Sequence, residues 1–479
     1  MNDRNQTVRI KKEILIRLVK SFLSDDFIGN TRLIPYDMRP KGSEVPYRCC
    51  IYKERAILKD RTIAGLGFSI EDDDERKSLS EYAQEALDRT EPEEDPLTVI
   101  EVACKGCVPS QIYVTDICQG CVARPCQSTC KFGAISMQNG RSHIDGSKCK
   151  KCKMCMAVCP YNAIVQIAVP CEDACPVGAI AKDESGYARI DFDSCISCGK
   201  CAEACPFAAI HEKSQIIDIL KNIKAGKEVI AMAAPSVVGQ FPGNIGQLKT
   251  AILKAGFSGF YEVAQGADIT ARNEAKEFEE RMKGGAPFMT TSCCAGYHQL
   301  LEKHLPDMKP YVSDTKTPLY YTAELVKKEH PDALTVFVGP CVAKRKEGMK
   351  NKNIDFVMNF EELGALFIGR KIDVMQCEET PLETESSKQG RSFCRTGGVA
   401  DSIKALSDKT KPCLVNGFTK DSVKQLKKYA KDGKCEGCNI IEVMCCEGGC
   451  LGGNATINQI KTAHKIVEDF ASKSKDITQ

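Results

Sequence analysis

The sequence predicts a multidomain α/β protein. A small, mainly helical N-terminal region spans residues 1–100, a cysteine-rich α+β region residues 101–212, and an α/β domain residues 213–479. Three observations carry this reading. At 479 residues the chain exceeds what one compact core supports. Sixteen of its 29 cysteines fall between residues 101 and 212. From about residue 213, short apolar runs alternate with helical segments.

In the N-terminal region, residues 8–20 carry apolar positions at helical spacing, which predicts an amphipathic helix packed on its own domain. The acidic stretch 71–95 reads as a surface helix and linker. A formal net charge of +2 argues against a broad nucleic-acid surface. No run of 18 apolar residues is present, so no membrane span is expected. Residues 1–6 lack an apolar signal core, which points to a cytoplasmic protein whose thiols stay reduced and available to metal.

In the C-terminal domain, the runs 229–234, 286–289, 334–338 and 440–444 predict buried strands, with helices over 271–282 and 319–329. Pro235-Ser236, Cys293-Cys294, Cys341 and Cys446 each follow a predicted strand. Ligands of open α/β sheets gather at the carboxyl ends of strands, so one crevice is expected to collect all of them. Unrelated core cysteines are the plain alternative, and the shared strand-then-cysteine placement argues against it.

The middle region contains four cysteine segments. They are Cys118-x2-Cys121-x4-Cys126-x3-Cys130, Cys149-x2-Cys152-x2-Cys155-x3-Cys159-Pro160, Cys171-x3-Cys175-Pro176 and Cys195-x2-Cys198-x2-Cys201-x3-Cys205-Pro206. The C-x2-C-x2-C-x3-C-P run is the bacterial ferredoxin signature, whose fourth cysteine binds the other cluster of a pair. Each segment leads into an Ala-Ile pair, at Ala134, Ala163, Ala179 and Ala209, which indicates a duplicated ferredoxin-like unit. Crossed pairing assigns Cys118, Cys121, Cys126 and Cys159 to one 4Fe–4S cluster and Cys130, Cys149, Cys152 and Cys155 to a second. Cys175 joins Cys195, Cys198 and Cys201 on a third. Cys104, Cys107, Cys171 and Cys205 remain as a fourth set, so three to four clusters are expected. Structural zinc also uses Cys-x2-Cys pairs, but the Cys-Pro endings and three-cysteine runs favour iron–sulfur.

Three further motifs stand in the C-terminal domain: Thr291-Ser-Cys-Cys-Ala-Gly-Tyr297, Gly339-Pro-Cys-Val-Ala-Lys-Arg-Lys-Glu347 and Glu442-Val-Met-Cys-Cys-Glu-Gly-Gly-Cys-Leu-Gly-Gly453. Together they resemble the active-site domain of the iron-only (FeFe) hydrogenases over roughly residues 228–455. The resemblance implies an H-cluster: a 4Fe–4S cubane joined through one cysteine to a two-iron subsite with CO, cyanide and a bridging dithiolate. By position its ligands are Cys294, Cys341, Cys446 and Cys450, with Cys450 bridging to the two irons. Cys446 and Cys450, four apart, are expected on one side of a helical turn.

Cys293 takes the family's proton donor and acceptor position, a task suited to a thiol; packing is its plain alternative. Lys344 is implied as the partner of a cyanide, against a solvated lysine in the basic run 344–346. Ser236, with Ala234, Pro235 and Met444, is placed around the cofactor. Glu274, Glu277, Arg281 and Ser313 resemble the family's proton relay, although a solvated helix face also accounts for the charges.

The motifs depart from the best-studied members at Ala295, Tyr297, Gly339, Cys445, Asn454 and Ala455. The Arg48-Cys-Cys-Ile-Tyr-Lys-Glu-Arg-Ala56 segment and the unusual ferredoxin-like array resemble the group B branch. Cys49, Cys50, Cys377, Cys394, Cys413, Cys435, Cys438 and Cys445 receive no role, and Cys435-x2-Cys438 reads as a redox pair or metal clip. The implied function is reversible H2 oxidation and proton reduction with a ferredoxin-like carrier and hydrogenase maturation proteins as partners. The alternatives are an H2 or redox sensor of low turnover, and a hydrogenase-like assembly protein lacking the two-iron subsite.

Overall fold

The structure, a computed structural model, describes residues 6–42, 46–104 and 106–479. Residues 1–5 of the expected signal-free N-terminus, and Lys105 within the Cys104–Cys107 pair, lie outside the described residues.

Four helices come first: Gln6–Leu23, Phe27–Met38, Ile51–Leu66 and Leu79–Asp88. The amphipathic segment lies in the first of them and buries Ile14, Leu15, Leu18 and Val19. Those side chains share one apolar cluster with the strand Val229–Ala233 and the helix Phe360–Gly369. Burial of this stripe against the C-terminal sheet therefore holds the helix. Within the acidic stretch, Ser78 and Glu81 form a reciprocal capping box that fixes the start of Leu79–Asp88.

The cysteine-rich region is built from four two-stranded antiparallel sheets. Gln111–Val114 pairs with Ile164–Ile167, and Ile135–Gln138 with Arg141–Ile144. Ile180–Lys182 pairs with Ala188–Ile190, and Leu97–Val99 with Ile210–Glu212. The duplication is nested: the unit closed by the 111–114 and 164–167 strands is inserted between the strands that close the other. In all four repeats the isoleucine of the Ala-Ile pair opens a strand and is buried.

The C-terminal domain contains two parallel sheets. One has the order Gly259–Glu262, Val229–Ala233, Leu334–Gly339, Phe356–Asn359. The other has the order Met289–Thr290, Ile440–Met444, Pro412–Asn416. The strand expected over 286–289 is shorter and later, at Met289–Thr290. The helix expected over 271–282 is longer, Val263–Lys283. The carboxyl ends of strands from both sheets lead into the cysteine motifs, so the expected crevice lies between two sheets rather than along one. Among the described residues no helix is long and apolar enough to cross a membrane.

Candidate functional site

The four cysteine sets of the middle region come together as crossed pairing requires. Cys118, Cys121, Cys126 and Cys159 line one cavity, and Cys130, Cys149, Cys152 and Cys155 line another. Burial pushes the Cys195 thiol up to about 11, and the neighbouring Cys198 and Cys175 thiols add to the shift. Burial likewise pushes Cys171 up to about 11, with Cys205, Cys104 and Cys107 contributing. Cys201 feels both Cys175 and Cys171, so the third and fourth sets are neighbours.

The backbone explains how short loops wrap these sets. Gly120, Lys151 and Ser197, each just before the second cysteine of a Cys-x2-Cys step, are left-handed, at φ 59°, 53° and 53°. That turn aims amide groups inward, as in anion-binding nests. Lys151 N donates to Cys149 Sγ and Ser197 N to Cys195 Sγ, both at 3.4 Å. A second left-handed residue precedes each Ala-Ile pair: Gly133, Asn162, Gly178 and Ala208. It turns the following amide back onto sulfur, and Ala163, Ala179 and Ala209 donate to Cys159, Cys175 and Cys205 at 3.4, 3.2 and 3.4 Å. Such bonds stabilise a thiolate, the form that binds iron.

In the C-terminal domain, Cys294, Cys341, Cys446 and Cys450 form one electrostatic group. Burial, then the neighbouring thiols, raises Cys341 and Cys450 above the usual thiol range. Cys294 caps the helix Ala295–His304 and accepts from Cys445 N at 3.4 Å. The helical turn expected over 446–450 is absent. The chain instead passes through left-handed Gly448 and Gly449 into a 3-10 turn, Gly449–Gly452, that carries Cys450. A Cβ on Gly449 would come within 2.6 Å of the Cys394 carbonyl, so glycine is required here by neighbouring backbone. Ser236 is fully buried and its Oγ has no hydrogen-bond partner. Ala234 and Met444 are also buried, and Pro235 opens the 3-10 turn that carries Ser236.

Lys344 remains charged although burial opposes it, because the Glu347 carboxylate and the Cys341 and Cys450 thiols raise its pKa. Its Nζ donates to Glu347 Oε2 at 2.6 Å, a partner the motif alone did not suggest. The intervening Arg345 lies within the basic run 344–346 but does not face solvent. It is 1% exposed, donating to Val357 O at 2.6 Å and Glu362 Oε1 at 2.8 Å, with Glu212 at 3.6 Å.

A chain of carboxylates and hydroxyls leads away from Cys293. Burial, then the charge of Glu274, raises the Cys293 thiol well above its ordinary value. Glu274 is fully buried; its Oε1 accepts from Ser292 N at 2.9 Å and Ser292 Oγ at 3.1 Å, while Oε2 has no partner. Burial pushes the Glu274 carboxyl up to about 7, against the bonds from Ser292. Ser313 Oγ donates to Glu277 Oε2 at 2.6 Å, and Thr315 Oγ1 adds a bond at 3.0 Å. Arg281 closes the chain at 2.7 Å from Glu277 and 2.9 Å from exposed Asp314. Ser292 and Thr315 are members of this network that the motifs did not single out.

The comparisons with known proteins fit this geometry. Residues 227–454 match the iron only hydrogenase large subunit, C-terminal domain. Residues 143–165 and 188–211 match the 4Fe-4S binding domain. Residues 227–454 therefore form an FeFe-hydrogenase-like domain. The chain is 27% identical over 309 residues to iron hydrogenase 1 of Clostridium pasteurianum, covering 51% of this chain and 53% of that protein. It is 29% identical over 301 residues to the periplasmic Fe hydrogenase large subunit of Nitratidesulfovibrio vulgaris, covering 50% and 72%. The third relative, the NADP-reducing hydrogenase subunit HndD of Solidesulfovibrio fructosivorans, is 26% identical, with 67% and 58% covered. The chain thus spans about half the length of the first of these relatives. Among solved structures, a variant of FeFe-hydrogenase HydA1 from Chlamydomonas reinhardtii aligns at TM-score 0.45 and 19% identity, over 55% of this chain and 91% of that one.

The departures in the hydrogenase motifs now have physical partners. Tyr297 is buried, with its hydroxyl 3.0 Å from Thr290 Oγ1. Asn454 Nδ2 donates to Glu212 Oε1 at 2.9 Å, tying the third motif to the last ferredoxin strand. Cys445 packs in one cluster with Cys446 and Cys198, where the C-terminal cysteine group meets the third cysteine set of the middle region. The helix that starts at Cys294 ends on the same loop, where Lys303 Nζ donates to Cys195 O at 2.7 Å.

At Gly339 the ring of Phe337 takes the space: a Cβ there would stand 2.5 Å from that ring. The substitution Gly339→Met is expected to destabilise the chain by about 1–3 kcal/mol through overpacking. A lowered midpoint in chemical denaturation would show this, and an unchanged midpoint would refute it.

Proposed function

We propose that this chain catalyses reversible H2 oxidation and proton reduction at an H-cluster held by Cys294, Cys341, Cys446 and Cys450. The observation that carries the reading is their convergence with Cys293 and Lys344 in a hydrogenase domain, beside a run of carboxylates and hydroxyls that extends from Glu274 through Ser313 and Glu277 to Arg281. The residues fit the group: the four thiols form one set, and buried Ser236 Oγ and Glu274 Oε2 lack protein partners. When bound, the H-cluster supplies the metal centre at which H–H bonds are made and broken. Lys344 offers a positive charge to its anionic ligands. Cys293 exchanges protons with Glu274, and Ser313 and Glu277 carry them toward Arg281 and solvent.

Electrons are proposed to pass through four 4Fe–4S clusters on the ferredoxin-like sets, to or from a ferredoxin-like carrier. The third set is the one adjoining the hydrogenase ligands, through Cys198 and Cys445. Cytoplasmic placement and assembly by maturation proteins belong to the same proposal. Chain matured with the two-iron cofactor is expected to reduce a low-potential dye under H2, and failure despite full iron loading would reject the enzyme reading.

The Glu274 carboxyl gives this activity a pH signature. Its folded pKa of about 7 lies above the ordinary 4.5. The protonated form therefore donates below about pH 7 and the carboxylate accepts above it. Proton reduction should fall, and H2 oxidation rise, as pH passes this value. The fold also binds this proton more tightly than the unfolded chain, so the group costs stability as pH rises from 4.5 through about 7. Glu274→Gln should remove that titration from both rate profiles and from the stability curve. Persistence of the step in the variant would assign it to another group.

A further inference from the structure

Three cysteines outside the cluster sets meet at the far end of the strand Ile440–Met444. The sulfurs of Cys413, Cys435 and Cys438 all lie within 4.8 Å of one another. Cys413 is on the paired parallel strand Pro412–Asn416, and Cys438 ends the loop that enters Ile440–Met444. Seven residues separate Cys438 from Cys446, five of them the strand Ile440–Met444. The trio thus sits at the entry of this strand, and Cys446 follows its carboxyl end.

Two observations point to a single ion. The first is spacing. Thiolates bound tetrahedrally to one Zn2+ at about 2.3 Å stand about 3.8 Å apart; Cys413 lies within 4.8 Å of both other sulfurs, and Cys435 and Cys438, joined in a disulfide here, take up such a spacing once reduced. A cubane places its thiolates on different irons and spreads them wider. Among the described residues no cubane set forms so tight a group, and this trio does. The second is the loop. Cys435-Glu436-Gly437-Cys438 has Gly437 at φ 74°, the same pattern as Cys118-Gln119-Gly120-Cys121, with Gly120 at φ 59°. The ligand loops of the ferredoxin-like unit and this loop thus share one backbone device.

We propose that Cys413, Cys435 and Cys438 bind one soft divalent cation of the Zn2+ class as thiolates. Among the described residues no further His, Cys, Asp or Glu joins the group, so water completes the coordination. Binding displaces the three thiol protons to solvent. The structure joins Cys435 and Cys438 in a disulfide, which is the oxidised form of the same pair. A phosphine reductant converts it to two thiols while itself becoming the oxide, with water supplying the oxygen and the protons. The ion pins the Pro412–Asn416 strand to the entry of Ile440–Met444, whose other end carries Cys446.

The test uses full-length chain purified without oxygen in a phosphine reductant, with zinc and iron measured together. About one zinc per chain is expected beside the iron. Cys413→Ser, and Cys435→Ser with Cys438→Ser, should lower zinc about tenfold with iron unchanged. Should the variants fail to fold, titration of the unaltered chain with Co2+ alone decides, through thiolate-to-cobalt charge-transfer absorption at one equivalent. Absence of both zinc and that absorption would overturn the site. So would zinc retained in every variant, or a Cys435–Cys438 disulfide persisting in reductant beside a freely alkylated Cys413.

Discussion

Cys293→Ser is expected to slow H2 turnover by roughly 10²–10⁴-fold, the contribution of a positioned acid–base group. Cys293 precedes Cys294, the proposed cubane ligand, and neighbouring side chains diverge, so it is free for another task. The proton path reaches it through Glu274, whose charge acts directly on the Cys293 thiol. A serine hydroxyl fills nearly the same volume but gives up its proton far less readily. The ligand set and the fold should therefore persist while proton delivery fails. Steady-state rates in both directions, measured on chain shown by spectroscopy to retain its cofactor, provide the check. Wild-type rates with full cofactor would return Cys293 to a packing role.

Arg345→Ala is expected to cost about 3–5 kcal/mol of stability by leaving buried carboxylates uncompensated. Glu362 and Glu212, at 1% and 5% exposure, depend on this guanidinium. Glu212 also receives Asn359 and Asn454, and Lys11 from the first helix. The network thus joins four parts of the chain: the N-terminal helix, the last ferredoxin strand, the sheet strand ending at Asn359 and the third cysteine motif. Arg345→Met keeps most of the packing but not the charge, and should be nearly as damaging while both glutamates remain. Denaturant titration of the two variants measures the cost, and a change below about 1 kcal/mol would place the pair among weak surface interactions.

Much of the fold was legible because cysteine and strand signals are local. Apolar runs at 229–234, 334–338 and 440–444 are short, bounded by turn residues and followed by motifs, and the strands appear there. Gly259–Glu262, Phe356–Asn359 and Pro412–Asn416 escaped notice; each is four or five residues long, and the last is largely unburied, so its hydrophobic signal is weak. Nesting of the ferredoxin-like units was implicit in the leftover Cys104, Cys107, Cys171 and Cys205, since only insertion of one unit into the other brings both flanks together.

What remained hidden depends on tertiary contact. Arg345 stands between two lysines and reads as solvated until Glu362 and Glu212 arrive from distant segments. Gly339 looks like an unexplained departure until Phe337 is seen filling the space beside it. Cys445 looks like a stray thiol until the fold sets it between Cys446 and Cys198. Sequence spacing suggested a helical turn for Cys446 and Cys450, whereas the glycines between them take the left-handed route that helix spacing does not describe.

The central claim is that Cys294, Cys341, Cys446 and Cys450 hold an H-cluster in this chain. Infrared spectroscopy of the full chain, matured with the two-iron cofactor and compared under H2 and under inert gas, tests it most directly. The account predicts bands of metal-bound CO and cyanide that shift on exposure to H2 and are lost in Cys450→Ala. A chain that carries its full iron and sulfide yet shows no such bands would contradict it.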